Sequence, residues 1–142
     1  MDQLEAGRET DELVAERVMG FEWWRSSETG RRGLFPPGMI PRGSDEWFTE
    51  RADMTEGLCL AHSSYVPHYS TDIKDAWQVL REFYSRGFRY KVEGRQHAHP
   101  DHMAFVEVAL PSQEWQGFAP NEPLAICRAA LLAAQSAPVS GD

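Results

Sequence analysis

The clearest periodic pattern of apolar and polar side chains lies at residues 71–86. Its apolar positions recur at spacings of three and four residues, which is typical of a helix that buries one face. These positions are Ile73, Ala76, Trp77, Leu80, Phe83 and Tyr84. Ser70 or Thr71 is expected to cap the helix, and Gly87 follows its end. The pattern therefore predicts a central helix whose Trp77 belongs to the hydrophobic core.

Two further helices are predicted near the ends of the chain. The first spans residues 10–19, with Thr10 as its cap and an apolar side that follows the helical period. The last begins at Asn121 and carries Pro123 in its first turn, where no backbone N–H is needed. Residues 124–134 are apolar except for Arg128, so this helix is expected to be buried deeply or to meet a second copy of the chain.

Alternation of apolar and polar residues predicts two strands, at residues 88–93 and 103–110. A polar turn joins them, so they are expected to form an antiparallel hairpin. Shorter apolar runs at 21–24 and 58–62 are consistent with two more strands, and residues 111–120 are expected to form a loop. This order of elements predicts the α+β class, with three helices packed on a mainly antiparallel sheet.

Residues 26–56 interrupt this order with a long segment rich in glycine and proline. Its embedded aromatic side chains predict an ordered excursion over the core, because such side chains offset their ordering entropy only by packing. The chain is expected to form one α+β domain at residues 1–135, followed by a disordered tail at 136–142. The preferred architecture is a small alpha-beta-alpha sandwich with helices on both faces of the sheet, and helices on one face are the alternative.

The composition is that of an ordinary globular protein with an acidic balance. Of its 142 residues, 42% are hydrophobic and 25% are charged, and the net charge is −8. That balance argues against extended contact with nucleic-acid backbones, because lysine and arginine must neutralise the phosphates. No apolar run approaches the roughly 20 residues of a membrane helix, and the acidic N-terminal segment lacks a signal core. We therefore expect a cytoplasmic protein whose Cys59 and Cys127 stay reduced and buried.

The sharpest chemical motif is a histidine-rich turn whose spacing matches the H-x-H-x-D-H metal motif of the metallo-β-lactamase superfamily. Its side chains are His97, His99, Asp101 and His102. In that motif two histidines hold one zinc ion, and the aspartate and last histidine help to hold a second. The neighbouring strands do not match that fold, and no histidine follows His102. The turn is therefore interpreted as a chance arrangement, with no cofactor assigned and metal binding kept as an alternative.

Two other places offer ligand-binding side chains. The start of the central helix presents Tyr69, Ser70 and Thr71, where free amides and the helix dipole favour an anion, and simple capping is the alternative. Tryptophans and arginines in and beside the excursion suit base stacking and phosphate contacts. They are Trp23, Trp24, Arg25, Arg31, Arg32 and Trp47. For the tryptophans, packing into the core is the alternative.

Three segments, at residues 12–24, 68–83 and 123–133, occur in an order that resembles the phage ABA sandwich domain family of small phage and prophage proteins. They are more loosely similar to the NinX-type phage proteins. The resemblance implies an alpha-beta-alpha sandwich, a phage origin and expression in the cytoplasm of a bacterial host. It implies no activity, and no catalytic residue is transferred from it.

From these observations we expect a phage or prophage accessory protein that binds a host component, for example as an inhibitor of bacterial anti-phage defence. An acidic surface with an aromatic excursion suits protein contact more than catalysis, so the chain is not expected to be an enzyme. One alternative is a small-ligand binder that sequesters a nucleotide signal, and the other is a metal-dependent hydrolase that uses the histidine-rich turn. No membrane partner is expected, and a homo-oligomer through the last helix is a further prediction.

Overall fold

The computed structural model describes residues 4–28, 32–38, 47, 49–52, 60–62, 66–95 and 99–136. The helices are α1 (Arg8–Arg17), α2 (Ile73–Ser85) and α3 (Glu122–Ser136). The strands are β1 (Glu22–Arg25), β2 (Arg32–Phe35), β3 (Glu50–Arg51), β4 (Leu60–His62), β5 (Arg89–Gly94), β6 (Ala104–Leu110) and β7 (Gln113–Ala119). A short 3-10 turn at Pro100–His102 precedes β6. The predicted α+β class, the three helices and the mainly antiparallel pairing are confirmed.

β5, β6 and β7 form an antiparallel sheet in that order, and the predicted β5–β6 hairpin is confirmed. On the face toward the helices, Val92, Val106 and Gly117 are register neighbours. The expectation of a loop at residues 111–120 was wrong, because β7 occupies most of that segment. The alternation in β7 is weak in sequence, since two of its inward positions are the small residues Gly117 and Ala119.

A second sheet has the order β3-β1-β2-β4. β1 pairs antiparallel with β2 and β3, whereas β2 and β4 are parallel. The strands predicted at 21–24 and 58–62 are confirmed with slightly different ends, while β2 and β3 show that the excursion contains regular strands. Trp23 of β1 and Leu34 of β2 are register partners that join the same hydrophobic core as Val14 of α1. Residues 29–31, 39–46, 48 and 53–56 of the excursion lie outside the described residues.

α3 lies at the centre of the molecule, packed on β6 and β7 and in contact with α1 and α2. The prediction of deep burial is confirmed, because elements of the same chain cover the helix on several sides. Its buried side chains are Pro123, Leu124, Ala125, Ile126, Cys127, Ala129, Ala130, Leu131 and Ala133. This burial accounts for the apolar character of α3 without a second copy, and a homo-oligomer through this helix stays a prediction.

Arg128 is the polar exception on α3, and it joins distant parts of the chain. Its Nε and Nη2 donate to the backbone oxygen of Leu4 at 3.0 and 2.7 Å. Its Nη1 donates to the backbone oxygen of Phe118 at 2.7 Å. The guanidinium therefore holds the segment before α1 and the end of β7 against the central helix.

α2 is rotated relative to the prediction. Its core face consists of Ala76, Val79, Leu80 and Phe83. Trp77 was predicted to lie in the core but is 39% exposed, and Tyr84 is 67% exposed. The exposed stripe adjoins the core face, so the spacing of apolar residues alone cannot tell which of the two is buried. The prediction that Trp77 is a core residue was therefore wrong.

Candidate functional site

The described part of the predicted metal-binding motif, His99 to His102, forms an exposed 3-10 turn. The backbone N–H of Asp101 donates to His99 Nδ1 at 3.1 Å, and the His102 ring centre lies 5.2 Å from that of Phe118. Among the residues that the structure describes, no group of three or more histidine, cysteine, aspartate or glutamate side chains is arranged to hold a metal ion. His97 lies outside those residues, so metal binding by the complete turn stays a prediction.

The residues predicted to bind an anion before α2 connect two elements of the fold. Ser70 is buried, its backbone N–H donates to Asp11 Oδ1 at 2.7 Å, and its Oγ accepts from the N–H of Gly7 at 2.8 Å. Tyr69 is also buried, and burial raises the pKa of its phenol. Thr71 is exposed. A carboxylate of the chain itself thus occupies the Ser70 amide that an anion would use.

The cap of α2 also differs from the prediction. Asp72, rather than Ser70 or Thr71, is the capping residue, and its side chain accepts from the backbone N–H of Lys74 at 2.9 Å. Asp75 places a second carboxylate in the first turn. These negative charges stabilise the helix end and would repel a bound anion.

The tryptophans and arginines predicted near the excursion are spread over the four-stranded sheet. Trp23 and Arg32 are buried. The guanidinium of Arg51 lies 5.3 Å from the ring centre of Trp24, and Arg25 pairs with a glutamate of β3 at 3.8 Å. Protein groups therefore cover both rings of the Trp23–Trp24 pair.

The other two members of the predicted tryptophan and arginine set are Trp47 and Arg31, and neither is shown to line a binding cleft. Trp47 belongs to the excursion and is half exposed. Arg31 lies outside the described residues. Ligand binding by this set stays a prediction.

The largest group of exposed aromatic side chains in the described part of the chain lies where α2 packs on β5. Trp77 and Tyr90 have ring centres 5.8 Å apart at 67°, and Tyr84 and Tyr90 have centres 6.3 Å apart at 78°. Tyr90 is 40% exposed and makes an edge-on contact with each of the two α2 rings. We refer to Trp77, Tyr84 and Tyr90 as the aromatic cluster.

Positively charged side chains lie on the helix stripe of this cluster and on the opposite face of β5. Residues 73–95 contain six lysines and arginines and three acids, a net charge of +3 in a chain whose total is −8. Arg81 lies between Trp77 and Tyr84 on one helix stripe, since the three are four and three residues apart. Arg89 and Lys91 follow on β5, on either side of Tyr90 in sequence. The region therefore combines exposed rings with cations.

An open groove of about 250 Å³ adjoins the cluster. Its lining residues are Arg89, Tyr90, Lys91, Glu107 and Ala109. We refer to the aromatic cluster together with Arg81, Arg89 and Lys91 as the aromatic–basic surface. This surface has the exposed rings and cations that suit an acidic or aromatic partner, and it holds no arrangement of nucleophile and base.

This surface was not predicted from the sequence, because Trp77 and Tyr84 were placed on the same buried face of α2 as Leu80 and Phe83. One signal was available in the sequence. Arg81 falls on the same stripe as Trp77 and Tyr84, whereas the buried stripe of α2 contains no charged residue. A charged residue within an aromatic stripe indicates a face in contact with water.

The architecture defines the class as a small α+β sandwich. The chain belongs to the phage ABA sandwich domain family, whose sequence pattern matches residues 12–131. It is therefore a phage protein domain, and the family resemblance noted in the sequence is confirmed.

The fold is similar to that of a phage protein from Bacillus cereus ATCC 14579, known from a crystal structure at 2.0 Å. The TM-score is 0.56 and the sequence identity is 22%, with 92% of this chain and 94% of that chain covered. At this identity the likeness concerns the fold alone. The curated proteins include no match to this chain. In the described part of the chain, no helix has the length and apolarity needed to cross a bilayer.

Proposed function

We propose that this phage protein is an accessory protein that acts by binding a host protein through its aromatic–basic surface. The observation that carries the proposal is the exposed aromatic cluster with Arg81 between its two helical rings. Tryptophan, tyrosine and arginine are the residue types most enriched among side chains that dominate protein–protein binding energy. A surface that presents all three residue types side by side is suited to protein recognition.

The geometry of the cluster lowers the cost of binding. Tyr90 touches the rings of Trp77 and Tyr84, so these contacts restrict the rotamers of the three side chains before a partner binds. In the free chain their apolar faces are in water, and a partner that covers them would gain the hydrophobic contribution of that area.

A host protein is the partner class that fits the phage family. A phage gene is expressed inside a bacterial cell, so an accessory protein meets its partner in the cytoplasm of the host. Inhibition of an anti-phage defence component is the form of this function that we propose, because an inhibitor needs a binding surface and no catalytic site.

The described side chains give less support to the two alternative functions. A nucleotide binder would need open ring faces beside available arginines, whereas Trp23 is buried and Arg51 covers Trp24. A metal-dependent hydrolase would need several ligands around one point, whereas His102 packs beside Phe118 and His99 accepts from a backbone N–H. Both remain predictions.

A matched pair of double variants tests the proposal in pull-downs from bacterial host lysate. Trp77→Ser combined with Tyr84→Ser removes two rings of the cluster, and Trp47→Ser combined with Met103→Ser removes exposed apolar side chains elsewhere. We expect the wild type and the control to retain one host protein, identified by mass spectrometry. The cluster variant is expected to bind it about tenfold more weakly, a loss of about 1.4 kcal/mol.

Folding of both variants is verified first by circular dichroism and thermal unfolding, because the α2 rings also contact Tyr90. Equal capture by the two double variants would contradict the proposal. Failure of the wild type to retain a specific protein from lysates of several hosts would contradict it as well.

A further inference from the structure

One edge of the three-stranded sheet lies beside the aromatic cluster. β5 pairs with β6 on one side, and no strand among the described residues pairs with its other side. Its pairing with β6 runs from Arg89 to Gly94 without a bulge, so β5 is a regular edge whose outer backbone groups meet no strand of the described chain. An edge of this kind can accept an extended peptide through main-chain hydrogen bonds.

We propose that the partner contributes an extended acidic segment that pairs with β5 as a fourth strand of this sheet. The inference rests on the proposed function, since it names the chemistry of the partner for the same surface. Main-chain pairing would supply affinity, and the side chains on the two faces of β5 would select the sequence of the segment.

The face of β5 away from the helices selects acidic side chains. Arg89 and Lys91 lie on this face and border the groove with Glu107 and Ala109. Both cations are exposed, and neither forms an ion pair with any residue in the described part of the chain. A carboxylate on an added strand would find two available cations at positions that share one face.

The acids near this edge already have partners. Glu93 pairs with Arg95 at 3.2 Å, and Glu107 accepts a hydrogen bond from Gln116 at 3.2 Å. Glu107 is also the register partner of Lys91, but the cations Arg89, Lys91 and Arg95 outnumber the acids Glu93 and Glu107 on this face. The edge therefore carries a net charge of +1 in an acidic protein. Opposite charge then favours an acidic segment.

The other face of β5 selects apolar side chains. Tyr90 and Val92 alternate with the cations and point toward α2, which packs against β5. A strand added at this edge would bring every second side chain close to Trp77 and Tyr84. The expected segment therefore alternates carboxylates with apolar or aromatic residues.

Other occupants fit this surface less well. Antiparallel pairing of two copies centred on Lys91 would oppose two ammonium groups and match Arg89 with Glu93, which Arg95 already neutralises. Single-stranded nucleic acid needs open ring faces, whereas Tyr90 contacts two rings edge-on. The net charge of −8 also repels phosphates.

The test uses the full chain and a synthetic, end-capped heptapeptide in which glutamate and valine alternate. A peptide of the same composition, with its glutamates and valines in two separate blocks, is the control for the pattern. We expect the alternating peptide to bind about tenfold more tightly than the block peptide in fluorescence anisotropy. Hydrogen exchange followed by NMR is expected to slow at every second backbone amide of β5 when the alternating peptide binds.

Two charge reversals of equal size test the role of the edge cations. Lys91→Glu changes an edge cation, whereas Arg17→Glu changes an exposed arginine of α1 that also lacks an ion pair in the described part of the chain. Lys91→Glu is expected to weaken binding of the alternating peptide about tenfold, and Arg17→Glu is expected to change it less than about twofold.

Several results would overturn the inference. Peptide binding that slows no β5 amide would exclude strand addition and leave the host-protein proposal intact. A concentration-dependent dimer that Lys91→Glu abolishes would assign the edge to a second copy. Tighter binding of single-stranded oligothymidylate than of the alternating peptide would assign the surface to nucleic acid. Conversely, peptide binding without host capture would contradict the proposed function alone.

Discussion

At the scale of single residues, a buried carboxylate in α1 links stability to pH. Glu12 is buried and accepts a hydrogen bond from Arg8 Nε at 3.1 Å. Burial raises the pKa of the Glu12 carboxyl, and the mostly exposed Arg8 offsets only part of that effect. The folded chain thus binds this proton more tightly than the unfolded chain, so the contribution of Glu12 to stability is greatest at acid pH and is lost as the pH rises through the folded pKa.

Glu12→Gln is expected to raise the free energy of unfolding at neutral pH, because it removes a buried charge and its amide oxygen can still accept from Arg8. The gain is expected to shrink as the pH falls toward the ordinary pKa of glutamate. Urea unfolding at a series of pH values measures the difference, with the exposed Glu9→Gln in the same helix as control. A difference between wild type and Glu12→Gln that does not vary with pH would contradict this account.

At the scale of elements, the contact between β7 and α3 depends on the absence of one side chain. A Cβ at Gly117 would overlap the backbone oxygen of Ala125 and lie 2.6 Å from the backbone nitrogen of Ala129. Because both atoms belong to the backbone of the central helix, neither can move without displacing α3. The close packing of sheet and helix therefore requires glycine at this position.

Gly117→Ala is expected to lower the free energy of unfolding by about 1–3 kcal/mol, the usual range for overpacking of a core. Gly94→Ala is the matched control, because the nearest atom to its added Cβ is 4.0 Å away, at Glu122 Oε2. Urea unfolding monitored by tryptophan fluorescence compares the two variants. Equal stability of both would show that β7 does not approach α3 as closely as the structure indicates.

At the scale of the whole molecule, α3 is the element against which the other two helices and the three-stranded sheet pack. It contacts α1, α2, β6 and β7, and Cys127 in its middle is fully buried. Burial raises the pKa of the Cys127 thiol far above its ordinary range, so the reactive thiolate is suppressed in the folded chain. A reagent can reach this thiol only when α3 separates from the helices and strands packed against it.

Cys127 is therefore expected to react with a thiol reagent only in proportion to the globally unfolded fraction. The experiment uses a Cys59→Ser background, because Cys59 lies outside the described residues. Labelling is followed over a urea series and compared with unfolding by circular dichroism, and Gln135→Cys near the exposed end of α3 serves as a reactive control. Rapid labelling of Cys127 in the absence of urea would contradict the central position of α3.

The sequence by itself determined the local features of this protein. The alternation at residues 88–93 and 103–110 was sufficient for the β5–β6 hairpin, because side chains of a strand alternate between its faces. The apolar run around Arg128 was sufficient to predict a deeply buried helix, because a helix that is apolar on nearly all sides has no polar face to turn toward water. Sequence segments at both ends and in the middle of the chain were sufficient to predict the family to which the chain belongs.

Tertiary structure alone decided which of two adjoining stripes of α2 is buried. Trp77 and Tyr84 are large aromatic side chains like the buried Phe83, and their exposure follows from the position of α2 at the sheet edge, where α3 already covers β6 and β7. Tertiary structure also decided that β7 is a strand. The reason for glycine at position 117, which is the close approach of the α3 backbone, becomes visible only when α3 lies against the sheet. The aromatic–basic surface depends on both decisions, since it brings together residues of a helix and a strand whose relative placement no local pattern encodes.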